Sequence, residues 1–150
     1  MTGIKEQLYT LCNDYITTRG AAIKQLIADA QEAGANETKS SAGDKYETGR
    51  ELLQQEIDLN MARLNELNAQ RAILDHIVPA HTSKVVIPGS LVYTSSGNFY
   101  IAIGAGKLLV DGVFFYAVSA ASPVGSQLMG QQEGHAFELN GKKNLIVSVI

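Results

Sequence analysis

The spacing of apolar residues changes period once, at Val78-Pro79-Ala80-His81, and that change divides the chain into a helical half and an extended half. Upstream, Ile4, Leu8, Leu11, Tyr15, Ala22, Leu26 and Ala30 recur every three or four residues, with Thr18 filling the gap, as on one face of an amphipathic helix. This spacing predicts a helix to about Ala33, stopped at Gly34. From Gly34 to Gly43 the chain is small, polar and aperiodic, and reads as a loop. A second helix is expected from Asp44, a good N-cap with Glu47 three residues on as in a capping box. Its seam, Tyr46, Leu53, Ile57, Asn60, Leu64, Leu67, Arg71, Leu74 and Val78, alternates threes and fours, with Gly49 or Arg50 in the one gap. Two long helices joined by a short loop pair antiparallel. Residues 1–78 are therefore expected to form a coiled-coil hairpin with its tip loop at 34–45. At about 1.5 Å per residue each arm is roughly 45 Å long, a rod that presents its turn to something distant. Polar Asn60 and Arg71 in the seam lower stability but fix register.

Downstream, Val85–Ile87, Leu91–Tyr93, Phe99–Ile103, Leu108–Val110 and Val113–Val118 are β-branched or aromatic runs, broken by Pro88-Gly89, Ser96-Gly97-Asn98, Gly104-Ala105-Gly106 and Asp111-Gly112. Asp-Gly between two apolar runs signals a two-residue hairpin, and Asn140-Gly141 predicts another between Ala136–Leu139 and Asn144–Ile150. Ser122-Pro123 opens a short helix, with Ser122 as N-cap and Pro123 in its first turn, and Gly130 closes it. Residues 79–150 read as a small, mostly antiparallel α+β domain.

Charge divides at the same place. Residues 1–78 hold 8 Lys and Arg against 12 Asp and Glu, whereas 79–150 hold 4 against 3. With a net charge of −3 there is no basic excess to hold duplex DNA through its phosphates, so independent DNA binding is not expected. Cys12, the single cysteine, excludes an intramolecular disulfide and a zinc site of several thiolates. It reads as a small packed side chain in a reducing compartment. The start of the chain has no apolar signal region and no run is long enough to span a bilayer, so a cytoplasmic, soluble monomer with no membrane partner is expected.

Two segments resemble the Gre family of bacterial transcript-cleavage factors. One is Ile27-Ala28-Asp29-Ala30-Gln31-Glu32-Ala33-Gly34 with Tyr46-Glu47-Thr48-Gly49-Arg50-Glu51. These are similar to the family pattern I-A-E-A-R-E-x-G-D-L-x-E-N-A-E-Y-x-A-A-R-E. The other runs from Ser122 to Gly134, SPVGSQLMGQQEG, similar to the family's S-P-[IVL]-x-x-x-L-[IM]-G-K-x-x-G-D. The resemblance implies an antiparallel helical hairpin followed by an FKBP-like docking domain. It also implies a hairpin that enters the secondary channel of RNA polymerase, where tip carboxylates help hold a Mg²⁺ that activates water against backtracked RNA. The sequence departs from the family at the tip. Ala35 stands at the family aspartate and Ala42 at the family glutamate, and the loop is four residues longer.

The resemblance leaves Glu37 and Asp44 as substitute carboxylates, for catalysis and for Mg²⁺ shared with the polymerase. No cofactor is expected on the isolated protein. Lys39, Ser40, Ser41, Lys45, Tyr46, Glu47 and Arg50 are candidate contacts to polymerase or to the RNA 3′ end that it holds. Capping by Asp44 and Glu47, and plain solvation of the rest, account for these residues equally simply. Three functions stand open: a polymerase factor that stimulates cleavage, a non-cleaving regulator in the same channel, and, ranked below both, a peptidyl-prolyl isomerase. In the first two the chain is no enzyme itself, the chemistry belonging to the polymerase active site. His76, His81 and His135 lack ligand spacing. Gly104-Ala105-Gly106-Lys107 reads as a turn rather than a phosphate loop. Val113 to Tyr116 put apolar groups on both faces of one strand, to be covered either within the fold or by a partner.

Overall fold

A computed structural model describes residues 3–37 and 43–150, with side chains described for 3–36 and 48–150. A helical hairpin is followed by a six-stranded, mostly antiparallel sheet with one short helix, an α+β layout. The helices are α1 (Ile4–Glu37) and α2 (Gly43–Asp75). The chain forms two compact units, one of Ile16–Gln70 and one of Met1–Tyr15 with Arg71–Ile150. The second unit thus contains the root of the hairpin as well as the sheet.

In the first unit the buried side chains lie in single file. Ile16, Ile27 and Ala30 of α1 and Asn60 and Leu67 of α2 are buried, and Ile23, Leu53, Ile57 and Leu64 are half-buried. The seam of α2 follows the predicted one, with Gly49 rather than Arg50 turned inward. The stripe of α1 is displaced by one residue from the expected one between Leu8 and Ala30. Cys12, Ile16 and Ile27 are buried, while Leu26 and Ile4 are exposed. Neighbouring residues on a helix are about 100° apart, so Leu11 and Cys12, or Leu26 and Ile27, flank one face, and the packing partner chooses between them.

Two expected helix ends also move. Gly34 does not stop α1, because it has no left-handed backbone and the Leu53 side chain lies 3.9 Å from where its Cβ would be. Only residues 38–42 separate the helices, so 34–37 and 43–45 are helical rather than loop. Asp44 falls in the first turn of α2 and not at its cap. At the other end of the seam Ile77 is buried and Val78 is exposed.

The sheet comprises β1 (Leu91–Thr94), β2 (Gly97–Ala102), β3 (Gly106–Val110), β4 (Val113–Ser119), β5 (Ala136–Leu139) and β6 (Lys142–Val149). Their order is β3-β4-β2-β1-β6-β5, and only β2 and β4 run parallel. Asp111 (φ 51°) with Gly112 (φ 77°), and Asn140 (φ 54°) with Gly141 (φ 78°), turn the two hairpins as their residue types require. β6 pairs with β5 through 142–145 and with β1 through 146–149.

Alternation divides the sheet into two faces. One carries Val92, Phe99, Ile101 and Ile146, which pack with Val124 and Leu128 of α3 (Pro123–Leu128), Phe137 and Val86. The other carries Leu91, Tyr93, Tyr100, Phe115 and Ala117, where the Tyr93 and Phe115 rings meet edge-on at 6.4 Å. Val85–Ile87, expected as a strand, is not one. Pro88 has no N–H, and side chains replace the ladder: Ser83 Oγ accepts the Val85 N–H at 3.2 Å and Ser90 Oγ the Ile87 N–H at 2.9 Å. Val86 keeps two backbone bonds, donating to Gln131 O and accepting from Gly130 N, each at 2.9 Å. Gly89 (φ +94°) is required where the chain passes Ile77, whose Cγ2 would lie 2.8 Å from an added Cβ.

Candidate functional site

The tip-side ends of α1 and α2 belong to the same compact unit and carry the carboxylates singled out by the sequence. Glu37 is the last residue of α1, and Asp44, Lys45, Tyr46 and Glu47 form the first turn and a half of α2. Lys39, Ser40 and Ser41 lie outside the described residues. Arg50 is one turn further into α2, with an exposed side chain. Ala35 is helical and exposed, and Ala42 lies outside the described residues. A carboxylate in the first turn of a helix is favoured by the helix dipole, which accounts for Asp44 and Glu47 there without any ligand. Among the described residues no three His, Cys, Asp or Glu side chains are grouped to hold a metal.

The C-terminal motif is a closed structural device. Ser122 caps α3: its Oγ accepts the Gly125 N–H at 3.0 Å and donates to Ser119 O at 2.7 Å. Pro123 occupies the first turn, where its missing N–H costs nothing. Val124 and Leu128 enter the core, and Gly130 (φ +78°) ends the segment while its N–H binds Val86 O. Two motif residues carry weight that residue type alone does not reveal. A Cβ on Gly125 would overlap the Ser119 carbonyl oxygen. Gln127 holds β5 by its backbone, donating from Nε2 to Glu138 O at 2.8 Å and accepting the Glu138 N–H at 3.2 Å. The usable signal for Gly125 was its place three residues after a capping serine, where the backbone closes on the cap. Gln127 offered none.

At the hairpin root, within the second unit, Tyr9 Oη donates to Leu74 O at 3.0 Å and Arg71 Nη1 to Asn13 Oδ1 at 2.7 Å. Lys5 Nζ donates to the carbonyls of His81 and Ile150. Burial pushes the Cys12 thiol up to about 12, in keeping with a packed, unreactive side chain. Burial, then the neighbouring Cys12 and Tyr9, push the Tyr100 hydroxyl up as well, and that hydroxyl has no hydrogen-bond partner among the described residues. Of the aromatic run in β4, Phe115 is buried, while Phe114 and Tyr116 remain open on the other face.

A solved structure of the transcription factor Gfh1 aligns with 91% of this chain and 91% of its own length, at 17% identity and a TM-score of 0.35. No protein-family model and no curated protein matches the chain. No helix among the described residues is long and apolar enough to cross a membrane.

Proposed function

We propose that this chain is a Gre-like transcription factor that binds bacterial RNA polymerase and modulates elongation by reaching into the secondary channel with its helical hairpin. One observation carries the reading: a hairpin whose tip-side turns hold Glu37, Asp44, Lys45 and Arg50 is followed, in one chain, by a domain carrying the SPVGSQLMG cap motif. A polar tip of both charge signs suits a wet, charged channel rather than an apolar groove. The sheet domain is the docking module in this reading, and no observation favours an isomerase.

Glu37 and Asp44 supply carboxylate oxygens of the kind that Mg²⁺ takes, so by donor type they are the residues that would hold a cation shared with polymerase. Mg²⁺ held there would supply charge neutralisation and an activated water, and the catalysis would remain the polymerase's own. A second reading, a regulator that occupies the channel without promoting cleavage, is favoured by alanine at both family carboxylate positions, Ala35 and Ala42.

Backtracked elongation complexes with Mg²⁺ separate the two. Shortening of the RNA 3′ end that disappears in Glu37→Ala or Asp44→Ala, with binding retained, selects cleavage. Competition with an authentic cleavage factor without shortening selects occupancy. Neither effect, together with no polymerase pull-down, removes both readings.

A further inference from the structure

The two edges of the sheet are treated differently. At β5 the outward N–H and C=O of Glu138 are both taken by the Gln127 side chain, so that edge is capped at its middle. At the other edge, β3 meets β4 through the two-residue turn Asp111-Gly112, with Val110 opposite Val113. In such a hairpin Val110, Leu108 and Gly106 bond inward, and the N–H and C=O groups of Lys107 and Leu109 face away from β4. Among the described residues none bonds to those groups. On the same face, Leu109 is 55% and Phe114 49% exposed, Tyr116 is also open, and Lys107 Nζ lies 3.9 Å over the Phe114 ring.

We infer that β3 is an interaction edge for a second copy of this chain, pairing antiparallel about a two-fold axis at Leu109. The inference departs from the monomer expected from sequence. Charge selects this occupant and register. With Leu109 opposite Leu109 of the second copy, each Lys107 falls beside Asp111 in the other copy's turn, giving two symmetric opposite-charge pairs. The two Leu109 side chains then cover one another on the face that already holds Phe114. Sliding one step, so that Lys107 opposes Leu109, sets a cation against an apolar side chain and strands Asp111. Pairing Lys107 with itself is repulsive. The outward groups of Leu109 exchange two N–H···O bonds across the axis, and those of Lys107 reach the second copy's turn.

Sedimentation equilibrium of the full chain, from micromolar to millimolar concentration, tests this. The expected result is a monomer–dimer equilibrium that weakens with added salt. Lys107→Glu, which replaces both attractions by repulsions at an exposed position, weakens it by about tenfold or more. Asp111→Asn keeps a residue suited to the positive-φ turn and weakens the dimer less. Leu109→Pro removes an outward N–H while sparing the bonds to β4, and leaves a monomer. A chain that stays monomeric throughout overturns the inference, including the case in which the edge binds a strand of another protein. A dimer whose Kd is unchanged by Lys107→Glu also overturns it, and that variant decides alone if Leu109→Pro fails to fold.

Discussion

The hairpin unit buries a single file of side chains, one of them Asn60 at 2% exposure, and leaves Leu26, Leu52, Leu59 and Met61 open. The sheet unit buries both faces of its central strands, with Ile101, Tyr100, Leu91 and Val92 fully enclosed. The difference teaches where each unit can tolerate polar chemistry. A seam one side chain wide derives little from burial, so it can carry polar groups that set register and end in a charged tip. A core covered on both sides holds geometry tightly, and there the buried Tyr100 hydroxyl stands out as having no partner among the described residues.

The largest expected effect tests that contrast directly. Ile101→Ala should cost about 2–5 kcal/mol in a denaturant melt, whereas Leu64→Ala, half-buried in the hairpin seam, should cost about 1 kcal/mol. Equal costs, measured by melts and by hydrogen exchange in each unit, would erase the contrast. Next comes Gly125→Ala. Its Cβ drives the start of α3 away from Ser119 O, a loss of about 1–3 kcal/mol with faster exchange of the Gly125 amide. A silent Gly125→Ala would show that the cap is loose.

Tyr100→Phe should raise stability by about 1 kcal/mol, because it deletes a buried hydroxyl that bonds to nothing. A loss of that size instead would place an ordered water at the hydroxyl. The smallest effect at neutral pH is that of Cys12. Its folded thiol titrates near 12 against about 8.5 in an unfolded chain, so folding holds the proton more tightly. Its contribution is intact below about pH 8.5 and is lost as pH rises toward 12. Cys12→Ala should flatten that part of the pH–stability curve, and in the native protein Cys12 should react with a thiol reagent only as fast as the root of the hairpin opens.

Much of the fold was legible because it rests on local chemistry. Asp111-Gly112 and Asn140-Gly141 announce their turns by residue type, and Ser122-Pro123 announces a helix start. What sequence placed wrongly was settled by partners instead. Whether Leu26 or Ile27 turns inward depends on α2, and Gly34 continues the helix with Leu53 of α2 beside it. Val85–Ile87 has strand composition, but the Ser83 and Ser90 hydroxyls take its N–H groups, and Pro88 beside it has no N–H to offer a ladder. Of the candidate site, the sequence singles out Glu37 in the loop and Asp44 as the N-cap of the second helix, whereas Glu37 is the last residue of α1 and Asp44 lies in the first turn of α2. It signals the cap at Ser122 but not the close approach of Gly125 to the Ser119 carbonyl, nor the clamp by which the Gln127 side-chain amide holds the Glu138 backbone, which no residue type advertises.

The central claim is that the tip of the hairpin works inside RNA polymerase, and a photoreactive side chain in place of Ser40 tests it most directly. In backtracked elongation complexes the account predicts crosslinks from that position to the RNA 3′ end or to the walls of the polymerase active centre. Full-length protein that gives no such crosslink from Ser40, while a probe at Gln132 still joins it to polymerase, would contradict the account.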